Sequence, residues 1–306
     1  MSLAGDRVLP ADTSFDWVPR TAEIARMAGA RLREFYAQGV ETEYKGDVDL
    51  VTVADRTVEA YLRDALLLAF PTHGIYGEEG TRDRLDAEFR WYIDPLDGTT
   101  NFAHGFPHFC VSMGLEHRPP GTPGNDDGEL IAAVIYDPLR DEMFLAEKGR
   151  GAYLNGRRIH VSTATTLAES LIATGFPSRK RHGNPNVHFY HEVTLRSHGV
   201  RRAGSAALDL AYTACGRLDG YWEFKLNSWD TAAGVLLVRE AGGTVTYVDG
   251  SPFHLVSAEV LASNGKIHAP LIHLFEDMFA GRNLEPIPTP REFAATRNER
   301  GPAARS

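Results

Sequence analysis

Cysteine is scarce in this chain. Only Cys110 and Cys215 occur in 306 residues, far apart in sequence. That excludes a disulfide framework and a cysteine-built metal cage. Two buried thiols in a reducing cytoplasm are the expectation. No run approaches the ~20 apolar residues of a membrane-spanning helix, so no membrane partner is expected. Residues 1–12 carry acids and a proline without an apolar stretch, which predicts no signal peptide. Cationic charge is short as well, with 32 Lys and Arg against 41 Asp and Glu and a net charge of −9. Sequence-independent binding to nucleic acid needs a cationic surface, so this partner class is disfavoured too. What remains is ordinary globular composition, 43% apolar and 24% charged.

The apolar periodicity predicts helices over 14–37, where Trp17, Ile24, Met27, Ala28, Leu32 and Phe35 recur at helical spacing, and over 52–70, with Pro71 as the stop. A strand at 74–76, an acidic loop over 78–88 and a buried strand at 91–93 follow. Further strands are expected at 111–116, 130–137, 142–147 and 152–154. A mobile loop is expected over the Pro-, Gly- and Asp-rich segment 119–128, and a hairpin turn at Asn155-Gly156. From Leu167 strands (171–174, 201–202, 244–248, 261–263) alternate with helices (186–198, 205–217, 230–240, 269–280). The fold class is therefore α/β, with an α+β N-terminal half (14–163), an α/β C-terminal half (164–282) and a flexible tail (283–306).

The most informative segment is Asp94-Pro-Leu-Asp97-Gly98-Thr99-Thr100, where a buried strand gives way to a turn. It presents two carboxylates and a carbonyl together. Pro95 stiffens the turn and Gly98 permits close backbone approach. The amides of Gly98, Thr99 and Thr100 are positioned as at a helix N-terminus, where phosphate oxygens bind. Mg²⁺ favours carboxylate oxygen and bridges to phosphate. Taken alone, an Asp pair in a turn fits a helix cap equally well. Other acids stand at element ends: Glu78 and Glu79 after a strand, Asp230 opening a helix, and Asp47, Asp49 and Asp55 before the second helix. Asp230 and Asp55 also fit helix-capping roles.

Four motifs occur in order: Lys45-x-x-x-Asp49-Leu-Val-Thr-x-x-Asp55, Gly77-Glu78-Glu79, Trp91-x-x-Asp94-Pro-Leu-Asp97-Gly-Thr-Thr-Asn-Phe102 with Gly105-Phe106-Pro107, and Asn227-Ser-Trp229-Asp230-x-Ala-Ala-Gly234. Together they resemble the inositol monophosphatase family of Mg²⁺-dependent, lithium-sensitive phosphatases, over roughly Phe15 to Phe279. The resemblance implies a layered αβαβα sandwich, a homodimer and hydrolysis of a small phosphorylated polyol by metal-activated water, without a covalent phosphoenzyme. It implies two to three Mg²⁺ per subunit. Glu78, Asp94 and the Leu96 carbonyl would hold the first, Asp94, Asp97 and Asp230 the second, and Glu78 with waters a weaker third. Thr99 and Asp55 match the dyad that orients the attacking water. Lys45 is either a partner of the acids or a surface residue, and Asp49 and Glu79 read as structural.

Recognition is expected from the second half. Gly204, Ser205 and Ala206 open a helix whose amides are free for sugar hydroxyls. Glu223 stands at the spacing of the family's inositol-contacting glutamate, although a strand-edge acid fits as well. Arg179-Lys180-Arg181-His182 is either a solvated loop or an attractor for an anionic substrate. His104, His108 and His117 lack metal spacing. Thr100-Asn101-Phe102 looks like the inositol-type branch. Histidinol phosphate, fructose bisphosphate and nucleotide 3′-phosphates are alternative substrates. A silent relative acting as a binding scaffold would have lost metal ligands, and here they are present.

Overall fold

A computed structural model describes residues 17–39, 42–44, 50–119, 128–176, 184, 186–256, 258–287 and 289–291. Lys45, Asp47, Asp49, the Arg179–His182 run, most of the 119–128 loop and most of the tail lie outside the described residues.

The chain opens with α1 (Trp17–Gln38), β1 (Thr42–Tyr44), β2 (Leu50–Thr52) and α2 (Val53–Ala69). Then come β3 (Gly74–Gly77), β4 (Arg82–Asp83), β5 (Phe89–Asp97), the short α3 (Thr99–Ala103), β6 (Cys110–His117), β7 (Glu129–Asp137), β8 (Glu142–Glu147), β9 (Gly151–Leu154) and β10 (Arg157–Ile159). The rest comprises β11 (Leu171–Thr174), α4 (Asn186–Arg196), β12 (Gly199–Arg201), α5 (Ala206–Ala214), β13 (Gly220–Phe224), α6 (Ser228–Glu240), β14 (Thr244–Thr246), β15 (Glu259–Ser263) and α7 (His268–Phe279). Among the described residues no helix is long and apolar enough to cross a membrane.

β1 and β2 pair only with each other. An eight-stranded sheet runs β10-β9-β8-β7-β6-β5-β3-β4, and a five-stranded mixed sheet runs β12-β11-β13-β15-β14. Three apolar cores define the layers. Val18, Leu32, Val58, Leu62 and Leu66 of α1 and α2 pack on Trp91, Ile93 and Val134 of the large sheet. Leu210, Ala211, Ala232, Ala233 and Leu236 of α5 and α6 fill the space between the sheets. Phe189, Val193, Leu271 and Phe275 of α4 and α7 cover Trp222 on the small sheet. The result is the αβαβα sandwich. Thr163 falls in the connection between β10 and β11.

α6 shows why these residues make this layer. Residues 231–238 are buried all round, as a helix covered by sheets on both sides requires. Close approach depends on small residues: a Cβ on Gly114 of β6 would lie 2.6 Å from that of Ala232. Several boundaries differ from the sequence expectations. β5 continues past Ile93 to Asp97, where it still pairs with Cys110 of β6. Gly220–Phe224, read only as carrying a strand-edge acid, is a central strand of the small sheet. The helix expected over 205–217 ends at Ala214, before Gly216 at φ +75°. Cys110 is buried, but Cys215 is only half-buried.

Candidate active site

The site forms where β5 meets α3. Asp94 pairs with Ser112 of β6, but Asp97 pairs with Cys110, so β5 carries one extra residue between them. In a regular strand residues three apart point to opposite faces. The bulge re-aims them, which brings Asp94 and Asp97, 2% and 9% exposed, to one buried cluster. Asp94 accepts the Leu96 amide at 2.9 Å. Gly98 takes φ +101°, and a Cβ there would lie 2.9 Å from the His108 carbonyl. Thr99 and Thr100 then open α3, where their amides have no partner within the helix.

Two further acids serve two tasks at once. Asp55 is the third residue of α2. Its Oδ2 accepts the Thr52 amide at 2.7 Å and hydroxyl at 2.6 Å, forming a capping box. Its Oδ1 accepts the Thr99 hydroxyl at 3.0 Å, which also lies 3.0 Å from the Leu96 carbonyl. Asp230 repeats the device on α6, with Oδ2 accepting the Asn227 amide at 2.6 Å. Capping and a site role, alternatives in the sequence, are thus compatible in the structure. Glu78 sits in the β3–β4 connection, its amide donating to the Ile93 carbonyl at 3.2 Å.

Asp97 Oδ2 accepts the Ser205 hydroxyl at 2.6 Å and the Ala207 amide at 2.7 Å. The Ala206 and Ala207 amides at the head of α5 are thus directed to Asp97, so that the positive helix end receives a buried carboxylate. Ser205 itself is 1% exposed. Asn101, unassigned in the sequence, donates to the carbonyls of His108 at 2.8 Å and Ala203 at 2.9 Å, and so links α3 to the approach of α5.

Charge makes the cluster unusual. Burial, then the charges of Glu78, Asp97 and Asp230, push the Asp94 carboxyl well above its ordinary range, and a hydrogen bond to Glu78 adds to this. Asp97 is raised by burial, against the stabilising donors from α5. Asp230 is pushed up to about 7, first by burial, with a contribution from Asp97. Mutually repelling carboxylates in low dielectric need protons or a cation. Among the described residues no three acidic, imidazole or thiol groups converge as a finished metal cage. The donors arrive from separate element ends with oxygens to spare. This fits Mg²⁺, which keeps several waters and takes only a few carboxylates.

Glu223 stands on β13, half-buried, and accepts the Tyr221 hydroxyl at 2.5 Å. Its carboxylate occupies the space that a Cβ on Gly175 would fill. Burial pushes Glu223 up to about 8, Asp230 and Asp97 add to the rise, and Arg202 opposes it. Thus Glu78, Asp94, Asp97 and Asp230 come together, Asp55 and Thr99 touch, and Glu223 feels the same field. Sequence reasoning missed Tyr221, Gly175 and Glu59, and gave Asn101 no contact although it stands in a motif. Of the three missed residues only Glu59 carried a signal, as an acid on the buried stripe of α2 one turn after Asp55.

Comparison with known proteins agrees with this geometry. The model of the inositol monophosphatase family matches residues 17–278. An inositol-1-monophosphatase of Rhizobium meliloti is 44% identical over 75% of this chain and 84% of its own length. A Nus factor SuhB of Pseudomonas aeruginosa is 44% identical over 76% of this chain and 85% of its own. The solved inositol monophosphatase of Anabaena superposes with a TM-score of 0.76 at 40% identity, covering 89% of this chain and 97% of that one. Fold and relatives define a phosphatase, a hydrolase of phosphoric monoesters. Within that class the chain belongs to the inositol monophosphatase family.

Proposed function

We propose that the protein hydrolyses a small phosphorylated polyol, inositol monophosphate foremost, with Mg²⁺ held by Glu78, Asp94, the Leu96 carbonyl, Asp97 and Asp230. The observation that carries this reading is the buried carboxylate cluster beside the first amides of α3, which have no partner within the helix. When bound, Mg²⁺ supplies Lewis-acid neutralisation of phosphate charge, worth several kcal/mol in such reactions. The chain's own residues do the rest. The amides of Thr99 and Thr100 hold phosphate oxygens. The Thr99 hydroxyl donates to Asp55 and so keeps a lone pair for a hydrogen of the attacking water. Burial raises the Asp55 carboxyl above its ordinary range, and three donors oppose that rise in favour of the carboxylate: the Thr52 hydroxyl, the Thr52 amide and the Thr99 hydroxyl.

Glu223, fixed by Tyr221, accepts vicinal hydroxyls of the polyol. Ser205 and Ala206 act mainly through Asp97, which they orient, while Gly204 lies against Asn101. The reading includes a homodimer in a reducing cytoplasm, in keeping with two free thiols, and neither a nucleic-acid nor a membrane partner.

The decisive experiment is phosphate release with Mg²⁺ from inositol-1-phosphate, histidinol phosphate, fructose-1,6-bisphosphate and a 3′-phosphonucleotide. The inositol ester is expected to give the highest kcat/KM, with lithium inhibiting. A strong preference for histidinol phosphate would overturn the substrate assignment. Equal turnover in chelator would overturn the metal assignment.

A further inference from the structure

We propose that Glu59 is a positioning residue that holds Glu78 in place for divalent cation binding, an inference that rests on the reading of Glu78 as a cation ligand. Glu59 lies on α2, 3% exposed, on the face that buries Val58, Leu62 and Leu66. Among the described residues no Lys or Arg pairs with it. Its oxygens instead accept two amides of the β3–β4 connection, Glu79 at 2.6 Å and Thr81 at 2.8 Å.

These amides follow Glu78, whose own amide is fixed on Ile93, next to Asp94. The loop closes at its base through the Gly77 amide and Thr81 carbonyl at 2.9 Å. The backbone of Glu78 is thereby clamped on both sides. Glu78 and Asp94 repel when both are ionised, so an untethered loop would relax by swinging Glu78 away. The Glu59 carboxylate prevents this from beneath.

Two neighbours fit the same purpose. A Cβ on Gly77 would lie 2.7–2.9 Å from the Glu59 carboxyl group, so glycine admits that group to the loop. Arg82 bonds the Gly77 and Thr81 carbonyls and stacks on Tyr76 at 3.8 Å and near Trp229 at 5.5 Å. It thus joins the Glu78 loop to the residue beside Asp230. A carboxylate suits the Glu59 position because each oxygen faces a donor. Glutamine would turn its NH₂ toward one of the two amides.

The test is Mg²⁺ titration by calorimetry without substrate, with Tm measured in parallel, on five variants of the full chain. Glu78→Gln is the reference for lost binding. Glu59→Gln is expected to weaken Mg²⁺ binding about 10–100-fold, the usual effect of removing a residue that orients a ligand. Glu59→Asp should lie between it and the parent. Gly77→Ala, which displaces the Glu59 carboxylate without changing its charge, should weaken binding likewise, and it carries the test if Glu59→Gln fails to fold. Leu62→Ala, a cavity in the same helix, should lower Tm while leaving Mg²⁺ affinity within about twofold, since ligand geometry is untouched. Loss of binding in Glu78→Gln together with parental affinity in Glu59→Gln and Gly77→Ala overturns the positioning role alone. Parental affinity in Glu78→Gln overturns the ligand assignment and this inference with it.

Discussion

The acids from the two sides of the cluster are anchored differently. Those from the large sheet and α2 are multiply tethered, with Asp55, Asp94 and Asp97 deeply buried and Glu78 half-buried: Asp55 is held by three donors, Asp97 by the head of α5, and the Glu78 loop by Ile93 and Glu59. Those from the small sheet and α6 are half-buried and rest on one neighbouring residue each, Glu223 on Tyr221 and Asp230 on Asn227. The first group is built to hold charge in fixed geometry, which preorganised electrostatic catalysis requires. The second is free to adjust to what enters.

The contrast breaks most visibly at Asp94. Asp94→Asn should lower Mg²⁺-dependent turnover by ~10³-fold, taking about 4 kcal/mol for lost cation chemistry. It should also raise the Tm of the metal-free protein, because it removes a repelling buried acid. A variant that kept turnover within tenfold would sink the rigid-charge view of the large-sheet side.

The adjustable side is sharpened at Gly175. Gly175→Ala should displace Glu223 and raise KM by roughly 10–100-fold, the worth of a hydrogen bond to a charged group, with kcat little changed. Glu223→Gln should match it. If both variants lost kcat instead, Glu223 would belong with the catalytic acids.

The smallest expected effect is on stability against pH. Glu223 titrates near 8 in the folded chain, above the ordinary 4.5 of an unfolded glutamate. The native state therefore binds the extra proton, and its stability falls as pH rises from about 5 to about 8. The Tm of the metal-free protein should drop by a few degrees across that window, and Glu223→Gln should reduce the drop, leaving the part due to Asp94, Asp97 and Asp230. A Tm that rises over the same range would contradict the placement of a half-buried, repelled acid on β13.

Much of this was legible in the sequence because it is local. The spacing of Asp94 and Asp97, the capping positions of Asp55 and Asp230, and the apolar stripes of α1 and α2 are set by neighbours in the chain. Long-range pairing was not legible. The bulge in β5 shows only against β6, β13 finds its place only between β11 and β15, and Ser205 meets Asp97 across 108 positions. Gly175 and Glu223 likewise carry no mutual signal until the sheet joins them.

That last contact limits how the chain can change. With the Glu223 carboxylate filling the space of a Cβ at position 175, a larger residue at 175 is harmful while glutamate stands at 223. It becomes tolerable once a small residue replaces that glutamate. Selection toward a substrate lacking vicinal hydroxyls would have to pass through position 223 first, and once 175 had filled, the return path would be closed.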